Sequence, residues 1–123
     1  MSNVKDFFPN FPYDGITIRM LLTHRSGLMN YVYFTDKIWK KKRQGMTNTD
    51  VMDLIAQYKP KPYYKPDQRF HYNNSNFMIL GGIIEKVTKK PYAEFMQEYI
   101  FKPCGMSNTH VYSKVDYNKI PVD

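Results

Sequence analysis

The 123-residue sequence predicts a mainly α-helical fold in a single domain. Three observations lead there. Apolar residues recur at helical spacing in several runs, small polar residues that cap helices stand just before those runs, and glycine or proline stands just after them. The length suits one domain of about 100–150 residues, and 42% hydrophobic against 24% charged residues favours a packed core over disorder.

Residues 1–15 are rich in aromatics and turn formers (Phe7-Phe-Pro-Asn-Phe-Pro-Tyr-Asp-Gly15) and read as an irregular connector. The helical region spans 16–110. Thr17 is the expected N-cap of its first helix, with Ile18, Met20, Leu21 and Leu22 on an apolar side. That helix should stop near His24, with Gly27 free to take a left-handed conformation. Thr35 is the expected cap of a short helix through Lys37-Ile-Trp-Lys-Lys-Lys-Arg43 to Gly45. Thr47 and Asp50 form a capping-box variant, Met46 and Val51 a hydrophobic staple, and Val51, Leu54, Ile55 and Tyr58 a buried stripe. Pro60 ends that helix.

A loop from Pro60 to Asn76 follows, and its asparagine–serine cluster caps Phe77–Val87, a run so evenly apolar that it predicts a central buried helix. Gly81 and Gly82 cost about 1 kcal/mol each against alanine in a helix, which close approach of a neighbouring backbone would offset. Pro91 suits the first turn of a last helix, with Tyr92, Phe95, Met96 and Tyr99 facing inward. Pro103-Cys-Gly-Met106 closes it, Cys104 reads as a small buried hydrophobe, and 111–123 is a connector tail.

Composition excludes several functions. One cysteine and three histidines, His24, His71 and His110, without close ligand spacing argue against a metal site, and no cofactor is expected. No stretch nears the ~18 apolar residues of a membrane span, and the first residues lack the apolar core of a signal peptide. The net charge is +7, but five of the 18 basic residues lie within 37–43, leaving 13 against 11 acidic. That run reads as a solvated helix face. The alternative is a non-catalytic binding module or pseudoenzyme that uses residues 37–43 to hold anionic partners. No zinc finger, RNP-like pattern or basic zipper accompanies the run, so nucleic-acid binding is not expected.

Four ordered blocks carry a resemblance. Phe8-Pro-Asn-Phe-Pro with Ile16-Thr-Ile-Arg-Met-Leu-Leu-Thr-His-Arg-Ser-Gly-Leu28 resembles the ITIRxLLTHxSGL signature of the serine β-lactamase-like family. Pro66-Asp-Gln-Arg-Phe-His-Tyr-Asn-Asn74 is similar to its PGxxFxYSN segment. Leu80-Gly-Gly-Ile-Ile-Glu-Lys-Val-Thr88 and Ile100-Phe-Lys-Pro-Cys-Gly-Met-Ser-Asn-Thr109 resemble its LGxIIExVTG and PLGMxxT stretches. Asp67 stands where the family has glycine, Lys89 where glycine is common, and Cys104 where it has leucine. The resemblance implies the helical subdomain of the β-lactamase/penicillin-binding-protein transpeptidase-like fold, separated from its α/β partner domain.

In that family a serine in S-x-x-K is acylated and the lysine one turn later helps activate it. A Tyr-x-Asn loop supplies a phenol and an amide, and a Lys-Thr-Gly strand binds the substrate. The loop at 72–74 matches the second element: the resemblance implies Tyr72 as catalytic acid/base and Asn74 as the substrate-positioning amide. On position alone, Tyr72 is one of 11 tyrosines and reads as a packed loop aromatic, and Asn74 reads as a helix N-cap; the flanking blocks favour the functional roles. His24 lies in a matching block, where a hydrogen bond near a helix end is the expected role.

Ser2-Asn-Val-Lys5 is a literal S-x-x-K, but it precedes Phe8 directly and lies at a terminus with no oxyanion hole, so it is rejected as the nucleophile. No Lys-Thr-Gly follows Thr109. A phenol titrating near ~10 is a poor base at neutral pH without neighbouring ammonium groups. The expected function is therefore a fragment of a serine hydrolase that acts on a β-lactam, a D-alanyl-D-alanine peptide or an ester in the parent and is inactive alone. The implied partner is the α/β portion of the parent. Apolar surface at Phe7–Tyr13 and the motif loop should be exposed and favour a homo-oligomer. For the parent, the family implies a periplasmic, secreted or cell-envelope location.

Overall fold

The computed structural model describes residues 2–39 and 45–112. The basic run from Lys40 to Arg43, and the tail beyond residue 112, lie outside them. Among the described residues there is no strand, only a single antiparallel bridge between Asn3 and Thr17.

The presumed connector contains a first helix, α1 (Val4–Phe7). Backbone bonds hold it against the entry to the next helix: the Val4 N–H donates to the Ile16 carbonyl at 3.0 Å, and the Ile18 N–H to the Ser2 carbonyl at 3.1 Å. Val4, Phe11 and Ile16 are buried, while Phe7, Phe8 and Tyr13 pack against the core. The expected exposure of Phe7–Tyr13 is thus corrected: Phe8 lies against Gly82 of helix α5 (Asn74–Thr88), and Phe11 packs edge-on with Tyr13, whose hydroxyl bonds the Pro60 carbonyl.

Helix α2 (Ile18–Leu22) starts as expected, with Thr17 Oγ1 accepting from the Met20 N–H at 3.2 Å. Only Leu21 is fully buried, and Leu22 faces out. Its exit is made by His24 at φ 56°, with Gly27 at φ 76° forming a second turn. Helix α3 (Tyr31–Ile38) begins earlier than its sequence suggested. Asn30 is the cap, accepting from the Val32 N–H at 3.1 Å. Thr35 is buried inside this helix, where its hydroxyl donates to the Tyr31 carbonyl at 2.8 Å. A threonine hydroxyl can be satisfied by the preceding turn as well as by a cap position, and here burial selects the former.

Helix α4 (Asn48–Tyr58) carries the capping box: Asp50 N–H donates to Thr47 Oγ1 at 3.1 Å and Thr47 N–H to Asp50 Oδ2 at 2.9 Å. Val51, Met52 and Ile55 are buried, whereas Tyr58 lies outside the stripe and meets the Phe34 ring edge-on at 6.1 Å.

Helix α5 is the centre of the fold and touches α1, α2, α3, α4 and α6 (Tyr92–Met96). It starts three residues before Phe77, and Phe77 and Val87 are exposed, so it is buried on one broad face rather than all round. Ile79, wholly buried on that face, would cost about 2–5 kcal/mol if cut to alanine. A β-carbon on Gly81 would meet the Asn48 side chain at 3.1 Å and one on Gly82 the Phe8 ring at 3.4 Å. These glycines accommodate side chains, then, and not the neighbouring backbone expected. The backbone contact is at Gly27, where a β-carbon would lie 2.2 Å from the Tyr64 carbonyl oxygen.

Pro91 is the N-cap of α6 rather than a first-turn residue, and the helix continues as a π-helical segment (Gln97–Phe101). Phe101 is its buried anchor; Tyr99 is exposed and stacks on Phe95 at 5.0 Å. Cys104 is exposed on the turn that follows, correcting the buried reading. No helix among the described residues is long and apolar enough to cross a membrane.

Candidate active site

The Tyr-x-Asn loop lies where α5 begins, opposite the exit of α2. Four consecutive small polar residues, Asn73 to Asn76, could each cap this helix. The structure gives the cap to Asn73, whose Oδ1 accepts from the Ser75 N–H at 2.9 Å. Asn73 is 3% exposed, and its Nδ2 donates to the Leu28 carbonyl at 2.6 Å, so its side chain spans two elements. Asn74 is therefore the first helical residue and not the cap, and its amide is left exposed to solvent.

Tyr72 and Asn74 lie side by side at this exposed end. The Tyr72 ring is 67% exposed, and its hydroxyl donates a long hydrogen bond, 3.4 Å, to Asn74 Oδ1. Alternate positions of an extended entry into a helix N-terminus, here 72 and 74, project to the same side. Asn73, between them, turns inward. The same three residues thus divide into two outward groups and one structural anchor.

Behind the loop lies a buried polar network. Ser75 Oγ donates to the Met29 carbonyl at 2.7 Å and accepts from the Tyr31 N–H at 2.7 Å. Ser26 Oγ donates to Asn76 Oδ1, and Asn76 Nδ2 reaches His24 Nδ1 at 2.9 Å. The Asn73 N–H also donates to His24 Nδ1, at 3.2 Å. Ser26, Ser75 and Asn76 are each about 1% exposed, and no buried side-chain nitrogen or oxygen among the described residues lacks a partner. A satisfied buried network of this kind rigidifies what it holds. Sequence reading placed His24 near a helix end but missed Ser26, Asn73, Ser75 and Asn76. The available signal was an excess of capping residues over what a single cap uses.

Exposed aromatics surround the motif. Phe70 and Phe77 stand 6.0 and 5.1 Å from the His24 ring, and both are more than half exposed. Asp67, at φ 62°, forms the turn that leads into the loop. It is held by Arg25, whose Nε donates to Asp67 Oδ1 at 2.5 Å while its Nη2 donates to the Asp67 carbonyl at 2.7 Å. A groove of about 760 Å3 lies elsewhere, between Phe8, Phe11, Met52 and Glu85, and includes neither motif residue. Among the described residues no cluster of three metal-ligating side chains forms, and Ser2 lies just before the N-cap of α1, exposed.

Comparison with known proteins identifies the family to which this fold belongs. A family model described as Beta-lactamase matches residues 3–116. A penicillin-binding protein of Bacillus subtilis is 36% identical over 113 residues, covering 92% of this chain and 25% of the relative. Among solved structures, a penicillin-binding protein from Bacillus halodurans superposes with a TM-score of 0.75 at 26% identity, over 98% of this chain and 37% of that one. The D-amino acid amidase from Ochrobactrum anthropi does so with a TM-score of 0.70 at 28% identity, over 89% and 30%. The chain spans about a quarter of the length of the curated relatives it matches. With one family model covering nearly all of its length, the chain belongs to the β-lactamase family of serine hydrolases.

Proposed function

We propose that Tyr72 and Asn74 form one corner of an acyl-transfer site whose nucleophilic serine and substrate-binding strand come from sequence outside these 123 residues. One observation carries this reading: a phenol and a carboxamide are presented together, exposed, while the interleaved and following side chains of Asn73, Ser75 and Asn76 are buried and bonded. Rigid backing with solvent-facing tips is what a site needs to hold reactive groups in register.

In the whole protein the Tyr72 hydroxyl would pass a proton between the serine and the leaving group. Asn74 would hold the substrate's amide or lactam. The substrate would be a β-lactam, a D-alanyl-D-alanine-type peptide or an ester, and the protein would work at the cell envelope or outside the cell. Among the described residues the Tyr72 hydroxyl bonds Asn74 and no lysine ammonium, so the segment alone is proposed to be inert. Incubation with a chromogenic cephalosporin should give no turnover, and intact-mass spectrometry no adduct. An acyl adduct on Ser2 would refute this.

The same reading concerns assembly. Phe70, Tyr72 and Phe77 make an apolar patch beside the motif, and patches of this kind are normally covered. In the whole protein the α/β portion would cover it, and the isolated segment would self-associate through it. Light scattering at rising concentration reads this: a constant monomer mass would count against it.

A further inference from the structure

The Tyr72 ring packs on His24, while its hydroxyl bonds Asn74. His24 stands at φ 56°, a left-handed conformation uncommon for residues other than glycine but one that histidine adopts more often than most. That backbone setting turns the imidazole under the motif loop. The ring packs on Tyr72 at 4.6 Å between centroids, tilted by 40°, and on Phe77 at 5.1 Å. Its carbonyl accepts from the His71 N–H at 2.8 Å. Its Nδ1 is the shared acceptor for the Asn73 N–H and the Asn76 side chain.

The ring itself is fixed from behind. Asn76 Oδ1 accepts from the Ser26 hydroxyl, which orients the carboxamide with its nitrogen toward His24. A ring nitrogen that accepts a backbone N–H cannot carry a proton, so the imidazole proton sits on Nε2. A relay therefore runs from buried Ser26 through Asn76 to His24 and ends on the face of the Tyr72 ring. With Tyr72 two-thirds exposed and its own hydrogen bond stretched to 3.4 Å, the imidazole is the firm wall against which the phenol rests.

We propose that His24 is the positioning residue of the Tyr72–Asn74 corner: its imidazole, locked by Ser26 and Asn76, selects a single Tyr72 side-chain rotamer. The inference rests on the reading of Tyr72 as the acid/base, and its test is chosen to be independent of activity. Two substitutions separate the functions of His24. His24→Asn keeps an acceptor at the δ1 position and tolerates left-handed backbone, but removes the outer ring atoms. His24→Phe keeps a ring and removes the acceptor.

The measurement is NMR of the 123-residue chain with labelled histidine and tyrosine, at a concentration where light scattering gives the monomer mass. In the unsubstituted chain, nitrogen shifts of His24 should show the Nε2-H tautomer and couplings of Tyr72 a single χ1 rotamer. In His24→Asn the Asn73 and Asn76 amide signals should stay near their original shifts while Tyr72 spreads over at least two rotamers. In His24→Phe the single rotamer should return and the Asn73 amide should shift. An Nδ1-H tautomer, rotamer averaging in the unsubstituted chain, or a single Tyr72 rotamer in folded His24→Asn would overturn the proposal. The first two outcomes need no variant to fold. A failure here leaves the role of Tyr72 standing, because that role is tested separately by Tyr72→Phe turnover.

Discussion

Gly27 and Tyr64 meet backbone to backbone: a β-carbon built on Gly27 would lie 2.2 Å from the Tyr64 carbonyl oxygen and 2.7 Å from its carbon. The Gly27 carbonyl meanwhile accepts from the N–H groups of Tyr63 and Tyr64, at 2.8 and 3.1 Å. This pairing brings the long loop after α4 against the exit of α2 and so sets the floor beneath the motif. Gly27→Ala combines a clash with a left-handed φ of 76° and should lose about 3 kcal/mol or more. Gly15→Ala, at φ 74° but with nothing within 4 Å, should lose only about 1–2 kcal/mol. Urea midpoints of the two variants check the contrast.

The two asparagines of the motif should separate cleanly. Asn73→Ala removes the α5 cap and leaves the buried Leu28 carbonyl without its donor, for a combined cost of about 2–3 kcal/mol. Asn74→Ala, at an exposed first helical position, should change stability by no more than about 0.5 kcal/mol. Thermal or urea unfolding of the pair would show it, and a large loss in Asn74→Ala would mean that its side chain is structural.

Both positions where this sequence departs from a family glycine take left-handed backbone: Asp67 at φ 62° and Lys89, the α5 C-cap, at φ 56°. Lys89→Gly should therefore stabilise by about 1 kcal/mol. Asp67→Gly should gain less, because it also removes the pairing with Arg25, an exposed interaction that adds about 0–1 kcal/mol. Unfolding midpoints rank the two.

Tyr13 links stability to alkaline pH. Its hydroxyl donates to the Pro60 carbonyl, and burial pushes its pKa up from 10.0 to about 12. The folded state thus keeps the proton that the unfolded chain releases. This contribution is whole below about pH 10 and is lost as pH rises through about 12. Stability measured from pH 9 to 12 should fall more steeply in the unsubstituted chain than in Tyr13→Phe, since the other tyrosines are common to both. Parallel slopes would exclude the linkage.

Local signals were legible and tertiary ones were not. The Thr47–Asp50 box of α4 and the Thr17 cap of α2 depend on residues three apart, and both stand as read. At α5 four adjacent residues had equal local claims to the cap, and the distant Leu28 carbonyl decided for Asn73. Thr35 looked like a cap because nothing in its neighbourhood says that it is buried, or that Asn30 lies at the true start. For the site, Tyr72 and Asn74 came from a resemblance to a family pattern. The relay of Ser26, Asn76 and His24 joins positions about fifty residues apart and has no periodic or compositional trace.

The role of Tyr72 is read most directly by a single rate. In a protein that joins this segment to the proposed serine and strand, Tyr72→Phe should cut kcat for a chromogenic cephalosporin or a D-alanyl-D-alanine peptide by roughly 10²-fold or more. Its unfolding midpoint should not move, because the hydroxyl it removes is exposed and makes only the long bond to Asn74. Turnover undiminished by that substitution would contradict the assignment of this corner to catalysis.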